Sequence, residues 1–272
     1  MPELPEVEHA ARSLRAWLTG VAVVRAGAPA TRVFRDGSNR TFQRSLPGRT
    51  LARVERRGKV LLLFFDGDVG VLSHLGMTGK WVRHQPPSGD PAPRHSRASL
   101  ALADGSAVHY CDPRMFGRLA LHRAAELPDL PEVRALGPDP VADGIDAAAL
   151  HAALSRTARA VKAALLDQKI LAGVGNIYAT EALFRARVHP ARAGRSLSRR
   201  EVERIARGLD DTFADALARL GGDMAYLSDG AHVENPFAIY DRAGEPCPSC
   251  RRALSKATIG GRTSAFCARC QK

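Results

Sequence analysis

The sequence lacks the long hydrophobic run that a membrane protein needs. None of its apolar segments reaches the roughly 18 consecutive residues that cross a bilayer as a helix. The chain opens with Met1-Pro2-Glu3, an acid and a proline where a secretory signal carries basic and then apolar residues. We therefore expect neither a membrane-spanning nor a secreted protein.

Cysteine is also scarce over most of the chain. Of the five cysteines, four lie within the last 26 residues. This distribution excludes a disulfide framework spread through a secreted chain. It is typical of a metal site in a reducing cytosol.

Acidic residues are outnumbered by basic ones. The 272 residues include 28 Asp and Glu against 40 Lys and Arg, a formal net charge of +12. Such a chain attracts polyanions, so nucleic acid is the first partner to consider. The alternative is a GC-rich genome that encodes Arg and Ala freely, and charge alone does not decide between the two. With 45% hydrophobic residues, the chain can build the cores of two domains.

The spacing of apolar residues changes along the chain. A first helix is predicted from Pro5 to Leu18, since apolar residues recur there every three or four positions. From there to about residue 122, short apolar runs broken by turn signals predict antiparallel hairpins. The runs pair 60–65 with 69–75 and 99–103 with 107–110, with a surface loop at 85–95 and Cys111 buried in a strand.

A proline-rich stretch at 127–139 marks the domain boundary. Beyond it the pattern becomes helical, with little strand signal before Phe237. The predicted helices cover 147–154, 158–167, 177–187 and 199–220. The second half of the chain is therefore expected to be mostly α-helical.

The terminal cysteines have the spacing of a zinc site. They form two C-x-x-C pairs separated by sixteen residues: Cys247 with Cys250, and Cys267 with Cys270. Each pair can place two thiolates on one ion, and two pairs complete a tetrahedron with no open position. Gly260-Gly261 between the pairs predicts a hairpin turn. The sequence thus predicts a two-stranded ribbon that holds one structural zinc ion, and no organic cofactor.

Two features of the helical half are suited to phosphate. The run LAGVGN at 171–176 combines glycines with the amides of a predicted helix start, which form an anion site, although such glycine-rich starts are common. Eight arginines against two glutamates follow between Arg185 and Arg207. The alternative for this charge run is a solvated helix face.

The amino terminus carries a candidate nucleophile. Pro2 becomes the terminal residue once Met1 is removed, and a terminal amine has a pKa near ~8, so a useful fraction is neutral and nucleophilic at pH 7. Glu3 and Glu6 are three residues apart, so both can point to the side of that amine and exchange a proton there. The alternative is that these acids only complement a helix dipole.

Six motifs in order carry a resemblance over the whole chain. They are MPELPEVE at 1–8, Arg57-Gly58-Lys59, HLGMTG at 74–79, DPRMFG at 112–117, the stretch from Leu165 through Gln168 to Tyr178, and the ribbon with Gly261-Arg262. With them the chain resembles the formamidopyrimidine-DNA glycosylase and endonuclease VIII family, bifunctional enzymes that repair oxidised bases. Leu4 favours the formamidopyrimidine-DNA glycosylase branch, because the other branch usually has Gly there.

The resemblance implies an α+β multidomain fold. An N-terminal helix and antiparallel β-sandwich form a catalytic domain at 1–130, followed by a linker at 131–146. A helical domain with a helix-two-turn-helix covers 147–235, and the zinc-ribbon hairpin covers 236–272. Double-stranded DNA with oxidised or abasic sites is the implied partner of a monomeric, cytoplasmic bacterial protein associated with the nucleoid.

The resemblance also implies roles for named residues. Pro2 would attack the anomeric carbon, displace the base and leave a Schiff base, while Glu3 would act as general acid/base and Glu6 would position the lesion or a water. Lys59, counted with the catalytic residues, would grip phosphates around the flipped nucleotide together with His74, Asn176 and Arg262. Met77, Arg114 and Phe116 would fill the gap in the base stack. Lys162 would lie near the base pocket.

Ordinary structural roles are the alternative for each of these residues taken singly. Lys59 could be a strand-edge charge, His74 a semi-buried histidine, and Met77 or Phe116 a packing residue.

For the whole chain, the implied activity is base excision with β,δ-elimination at the abasic site, acting chiefly on formamidopyrimidines and also on 8-oxoguanine. The alternatives are a non-catalytic protein that binds damaged DNA and a lyase restricted to abasic sites.

One segment departs from the resemblance. After Gly221-Gly222 the family's glycosylase branch usually continues with a Thr/Ser-rich basic stretch and a longer loop over the flipped purine. Here DMAYLSDG at 223–230 leads quickly to Pro236. We therefore expect 8-oxoguanine to be processed less well than formamidopyrimidine lesions.

Overall fold

The computed structural model describes residues 2–85, 92–219 and 235–272. Contacts divide the chain into two compact units. The first comprises residues 1–2 and Glu6–Arg134, and the second comprises Glu3–Pro5 and Ala135–Lys272. Three residues that the sequence analysis assigns to the N-terminal domain thus group with the helical half.

The first unit consists mainly of antiparallel strands. Its helices are α1 (Leu4–Leu18, whose first two residues group with the second unit), α2 (Asn39–Ser45) and α3 (Pro131–Arg134), with a 3-10 helix at Ala124–Asp129. Its strands are β1 (Val23–Gly27), β2 (Leu51–Arg57), β3 (Val60–Phe65), β4 (Val69–His74), β5 (Lys80–His84), β6 (Ser96–Leu102), β7 (Ala107–Cys111) and β8 (Arg118–Arg123).

The strands form two four-stranded sheets, ordered β1-β6-β7-β5 and β2-β3-β4-β8. All strand pairs are antiparallel, and β3 pairs with β4 in a register that places Leu63 opposite Val71. Strand β3 is buried along its whole length because its sequence, VLLLFF, contains only large apolar residues. Both sheets and one face of α1 contribute to a single apolar core, as the sandwich expectation requires.

The strand predictions hold with small shifts. The hairpin of β3 and β4 turns at Asp66, Gly67 and Asp68, where the sequence carries its turn signal. Strand β6 begins three residues earlier than predicted, and Cys111 ends β7 with its side chain buried. Of the loop expected at 85–95, residues 86–91 lie outside the described part of the chain.

The second unit consists mainly of helices. They are α4 (Ala147–Ser155), α5 (Val161–Leu165), α6 (Asn176–Arg185) and α7 (Arg199–Arg219), followed by the hairpin of β9 (Ser255–Ile259) and β10 (Arg262–Phe266). Helix α7 buries Val202, Ile205, Leu209, Phe213 and Ala216, which recur at helical spacing. The arginine run between Arg185 and Arg207 begins before this helix. Its members on α7 are exposed, on the side away from the buried apolar residues.

Two helices are shorter than the periodicity predicts. Helix α5 starts at Val161 rather than at residue 158, because Ala160 forms a strand-like bridge with Ala193 and the Val161 amide donates to the Arg192 carbonyl. Helix α6 ends at Arg185 rather than at 187, because Arg187 adopts a left-handed conformation with φ of 57°. Local apolar spacing cannot report either tertiary constraint.

The ribbon hairpin is present as predicted. Strands β9 and β10 pair in antiparallel register with Ile259 opposite Arg262. Gly260 and Gly261 form the two-residue turn with φ of 60° and 72°, values that glycine adopts without strain. Among the described residues, no helix combines the length and apolar composition needed to cross a bilayer.

Candidate active site and nucleic-acid interface

In the first unit, a tight turn between β2 and β3 presents Lys59. Gly58 makes the turn possible with φ of 54°. The buried Arg56 side chain supports it: its Nη1 donates to the Gly58 carbonyl at 3.2 Å and its Nε donates to Glu8 Oε2 at 2.8 Å. Because β3 pairs Val60 with His74, the half-buried Lys59 lies next to His74. Sequence reasoning missed Arg56 and Glu8, although Glu8 belongs to the opening octet.

His74 ends β4 as a neutral hydrogen-bond donor. Its Nδ1 accepts the Gly76 amide at 3.0 Å, which leaves the ring proton on Nε2. Burial lowers the pKa of His74, and the positive charges of Lys59, Arg35 and Arg118 lower it further. In the protein without DNA the ring is therefore uncharged at neutral pH, and its Nε2 can donate a hydrogen bond to a phosphate.

Two neighbouring loops carry the wedge cluster, which we define as Met77, Arg114 and Phe116. Within the described ranges, four large apolar side chains are exposed, and Met77 and Phe116 are two of them, at 38% and 46%. The Arg114 guanidinium lies 4.6 Å from the centre of the Phe116 ring. A Cβ on Gly76 would lie 2.5 Å from the Phe116 carbonyl carbon, so the two loops are in direct contact.

A buried carboxylate joins these two loops. Asp112, which is fully buried, accepts a hydrogen bond from Thr78 Oγ1 at 2.5 Å and another from the Gly117 amide at 2.8 Å. The Arg114 amide donates to the same Thr78 oxygen at 3.4 Å. Asp112 and Thr78 thus position the wedge cluster. Both stand inside quoted motifs, but nothing in the sequence alone separates their role from that of their neighbours.

Pro2 and Glu6 belong to the first unit and are both buried. Glu6 lies on the first turn of α1, whose following residue Val7 packs into the sandwich core. A fully buried carboxylate is rare unless it has partners, and Glu6 has interacting neighbours. An acid that only complements a helix dipole at the surface would be exposed to solvent, whereas Glu6 is fully buried.

Glu3 occupies the N-terminus of α6 within the second unit. Its Oε1 accepts the Ile177 amide at 3.0 Å and its Oε2 accepts the Tyr178 amide at 3.3 Å. A Cβ on Gly175 would lie 2.3 Å from the Glu3 carboxyl carbon, so only glycine fits there. The expectation that these amides bind a phosphate is therefore wrong: their anion is the carboxylate of Glu3.

The glycine loop before α6 also holds the backbone that follows Glu3. The Leu4 amide donates to the Gly173 carbonyl at 3.1 Å. The side chain of Gln168 fixes this loop, because its Nε2 donates to the Val174 carbonyl at 2.8 Å and its Oε1 accepts the Gly173 amide at 2.8 Å. Sequence reasoning placed Gln168 in a motif without a role.

Lys162, which the resemblance places near the base pocket, is fully buried. Its Nζ donates to Thr180 Oγ1 at 2.7 Å, Ser264 Oγ at 2.6 Å and the Thr263 carbonyl at 3.4 Å. Burial lowers its pKa to about 8, while the negative charge of Glu3 acts in the opposite direction. Lys162 is thus a buried cation that joins α5, α6 and β10 and faces the field of Glu3.

Asn176 and Arg262 lie where α6 and the ribbon meet. Asn176 Nδ2 donates to the Thr263 carbonyl at 3.1 Å, whereas its Oδ1 is buried without a hydrogen-bond partner among the described residues. Arg262 is exposed at the first position of β10. Asn176 lines a small cavity of about 190 Å³ together with Tyr240, Asp241 and Lys256. The side-chain amide of Asn176 and the cation Lys256 suit a phosphate oxygen.

The four terminal cysteines meet as a zinc ligand set. Their sulfur atoms all lie within 4.8 Å of one another, with Cys247 and Cys270 4.0 Å apart and Cys250 and Cys267 3.5 Å apart. A tetrahedron with zinc–sulfur bonds of about 2.3 Å separates its sulfurs by about 3.8 Å. The residues therefore fit a zinc ion. Cys111 lies in the sandwich and is not part of the set.

Family models match three consecutive stretches of the chain. The formamidopyrimidine-DNA glycosylase N-terminal domain matches residues 1–119, the H2TH domain of the same glycosylase matches 136–226, and a zinc finger found in FPG and IleRS matches 244–272. A formamidopyrimidine-DNA glycosylase of Thermus thermophilus is 40% identical over 278 aligned residues, covering 100% of this chain and 98% of the relative.

The chain belongs to the formamidopyrimidine-DNA glycosylase family. A second relative, from Bacillus cereus, is 35% identical over 100% of this chain and 99% of its own length. Membership confirms the resemblance inferred from the motifs and makes the protein a DNA glycosylase of base excision repair. It also confirms the α+β multidomain fold with its helix-two-turn-helix and zinc finger.

Solved structures of the family agree with the fold. The MutM (Fpg) protein from Thermus thermophilus has a TM-score of 0.83 at 37% identity, covering 99% of this chain and 98% of its own. Lactococcus lactis Fpg bound to DNA with an abasic site has a TM-score of 0.88 at 28% identity, covering 99% of both chains. The same Lactococcus protein has been solved with FAPY-dG-containing DNA.

Proposed function

We propose that the protein is a bifunctional DNA glycosylase and abasic-site lyase that works through the amine of Pro2. The observation that carries this proposal is the placement of Glu3, the residue directly after Pro2, with its carboxylate held by two amides of α6. A surface acid that only complements a helix dipole needs no such fixed, fully buried position. A proton-transfer group next to a nucleophile does.

In the first step, the Pro2 nitrogen attacks the anomeric carbon of the damaged nucleotide. The bond from that carbon to the base breaks, and the base leaves with a proton taken from water. Glu3 accepts the proton that the Pro2 nitrogen loses and passes it to the ring oxygen, whose bond to the anomeric carbon breaks to form the iminium. Glu6 positions the lesion or a water. Burial lowers the pKa of Lys162 to about 8 and the negative charge of Glu3 opposes that shift, so a charged Lys162 and the Glu3 carboxylate stabilise each other.

The resulting iminium acidifies the proton on the neighbouring sugar carbon. Loss of that proton expels the 3′ phosphate, and a second elimination expels the 5′ phosphate, which leaves a one-nucleotide gap. Lys59, His74, Asn176 and Arg262 hold these phosphates. Hydrolysis of the iminium then frees Pro2 for another turnover.

The wedge cluster supports extrusion of the damaged nucleotide. Met77 and Phe116 present exposed apolar surface, and Arg114 stacks on Phe116. Side chains of this kind replace the stacking that is lost when a base leaves the helix, which costs a few kcal/mol per step. A non-catalytic binder of damaged DNA could use the same wedge, but it needs neither a buried Glu3 nor a terminal amine.

We propose formamidopyrimidines as the preferred bases, with 8-oxoguanine processed less well. The family name and the relative solved with FAPY-dG support the first part. The second part rests on the short segment that follows Gly221-Gly222. Residues 220–234 lie outside the described part of the chain, so the structure does not bear on it. An intact oxidised purine differs from guanine in few groups, and each hydrogen bond that selects it contributes only about 1 kcal/mol.

The test is single-turnover cleavage of matched duplexes that carry a formamidopyrimidine, 8-oxoguanine opposite cytosine, or an abasic site. We expect fast excision of the formamidopyrimidine, slower excision of 8-oxoguanine, and products with phosphate at both ends of the gap. Cleavage of the abasic duplex alone would identify a lyase without base excision. Binding without cleavage of any duplex would identify a non-catalytic binder.

Several further assignments belong to this proposal. We infer that the protein acts as a monomer on double-stranded DNA in the bacterial cytoplasm. We infer one structural zinc ion and no organic cofactor. The domain boundaries after residues 130, 146 and 235 are part of the same proposal.

A further inference from the structure

An open cleft in the first unit has no role in the proposed chemistry. Its volume is about 880 Å³. The lining residues come from the segment between β1 and α2, from the first residue of α2, from β6 and from the loop that carries Phe116. They are Ala30, Thr31, Arg32, Phe34, Arg35, Gly37, Asn39, Arg97 and Met115.

Among the described residues, three guanidinium groups and no carboxylate line this cleft. Arg32, Arg35 and Arg97 form no ion pair with any residue of the described ranges, whereas arginines elsewhere in the unit, such as Arg53 and Arg83, pair with acids at 2.7 Å. Unpaired like charges in one cleft repel one another and are stabilised when an anion enters. The guanidinium fork matches the oxygens of a phosphate.

Two of these arginines hold the backbone of the loop that carries Phe116. Arg35 Nη2 donates to the Phe116 carbonyl at 3.2 Å, and Arg97 Nε donates to the Asp112 carbonyl at 3.0 Å. Each arginine donates one N–H group to the loop, at opposite ends of it, and keeps other N–H groups that can donate to an anion. Between them, Met115 lines the cleft in a left-handed conformation with φ of 53°. An anion bound by Arg35 and Arg97 would therefore fix the loop that presents Phe116.

We propose that this cleft binds a phosphodiester group of the DNA backbone beside the gap that the wedge cluster fills. The inference rests on the proposed function, because it takes DNA as the ligand. It adds the cleft arginines to the residues that the proposed function already assigns to phosphates. The apolar lining of Phe34 and Met115 suits the adjoining deoxyribose. Through Arg35 and Arg97, occupation of the site stabilises the inserted position of Phe116.

The first test compares Arg32→Ala with Arg25→Ala. Arg32 lines the cleft, while Arg25 is exposed on the edge strand β1 and does not. The probe is a duplex with a non-cleavable abasic analogue, and the dissociation constant is measured at several salt concentrations. Arg32→Ala should flatten the slope of log K against log salt by about one unit, since each phosphate contact releases one counterion. Arg25→Ala should leave the slope unchanged.

The second test identifies the phosphate. Neutral methylphosphonates replace the phosphates of both strands one at a time. At one position beside the lesion, wild-type protein should lose about tenfold in affinity, while Arg32→Ala should show almost no further loss. Equal slopes for both variants, or losses that add at every position, would overturn the proposal.

Two controls separate the other outcomes. The first control measures the melting temperature of wild type and Arg32→Ala in inorganic phosphate. If phosphate stabilises wild type more than Arg32→Ala while the two proteins bind DNA equally, the cleft takes free phosphate, and the proposal is overturned. Wild-type protein that neither binds nor cleaves lesion DNA would overturn the proposed function and this inference with it. Wild-type cleavage with equal DNA binding by both arginine variants would overturn this inference alone.

Discussion

The two units hold their candidate residues in different ways. In the first unit, Met77 and Phe116 project from tight loops into solvent, and one buried acid, Asp112, fixes the loops from behind. In the second unit, Glu3 and Lys162 are themselves buried and are held by amides, hydroxyls and carbonyls of three elements. The first arrangement suits contact with a large ligand, and the second suits control of charge next to a reacting group.

The largest effect is expected from removing a zinc ligand of the second unit. Structural zinc contributes about 10 kcal/mol or more to folding of small metal-bound modules, so Cys250→Ser should unfold the ribbon and displace Arg262. Zinc content should fall from one per chain to none, and DNA affinity should drop to the non-specific range of about 10⁻⁴ to 10⁻⁶ M. Cys111→Ala, outside the ligand set, is the control. Normal DNA binding by metal-free protein would rule out a role for the ribbon.

The buried cation predicts a bell-shaped pH profile for base excision. The rate should rise as the terminal amine of Pro2 loses its proton near pH ~8. It should fall at higher pH, because Lys162, whose pKa is lowered to about 8, loses the charge that faces Glu3. Single-turnover rates from about pH 6 to 10 measure both limbs. In Lys162→Met the alkaline limb should be absent, and an unchanged limb would assign it to another group.

The lowered pKa of Lys162 affects stability in the opposite direction: the rate of excision should fall at alkaline pH, whereas the stability of the fold should rise. The folded state binds the Lys162 proton less tightly than the unfolded chain, whose lysine titrates near ~10.5. This residue therefore favours unfolding most at pH values below about 8. The part of the free energy of unfolding that comes from Lys162 should increase as the pH rises from about 8 toward 10.5, so the folded state becomes more stable. Urea unfolding of wild type and Lys162→Met over this range separates the two effects.

A smaller effect is expected from Asp112→Asn in the first unit. The amide that replaces one carboxylate oxygen cannot accept a hydrogen bond, so either Thr78 or Gly117 loses its acceptor. An unsatisfied buried donor costs about 1–3 kcal/mol. Urea unfolding should show this loss, and affinity for duplex with an abasic analogue should fall more than affinity for undamaged duplex. Asp129→Asn, at an exposed position outside the cleft of Arg32, Arg35 and Arg97, should change neither.

The smallest effect distinguishes a charged contact from a neutral one. Arg262→Ala should flatten the slope of log K against log salt by about one unit, because it removes a cationic phosphate ligand. His74→Ala should weaken binding with no change in slope, since His74 is neutral. Titrations from about 50 to 200 mM salt measure both. Equal slopes for Arg262→Ala and wild type would show that Arg262 makes no phosphate contact.

Sequence reasoning worked best where a residue's position follows from nearby residues. The turn at Gly260 and Gly261, the hairpin of β3 and β4 and the grouping of the four cysteines all depend on local signals. These features belong mainly to the first unit and to the ribbon.

It worked less well for the buried network of the second unit. Glu3 and the amides of Ile177 and Tyr178 are separated by 174 and 175 positions in the chain, and no spacing rule connects them. The anion site at α6 was predicted correctly as a feature, but its occupant is Glu3 rather than phosphate. The burial of Lys162 depends on α6 and β10 together, so sequence alone could not distinguish it from an exposed lysine.

The central claim is that the amine of Pro2 carries out the chemistry. The most direct measurement is borohydride trapping on lesion duplex, followed by intact mass and tryptic mapping of the covalent adduct. The account predicts a chain without Met1, one adduct per molecule, and a cross-link confined to the N-terminal peptide that begins with Pro2. A cross-link through an internal lysine such as Lys59 or Lys162, or retention of Met1 on active protein, would contradict it.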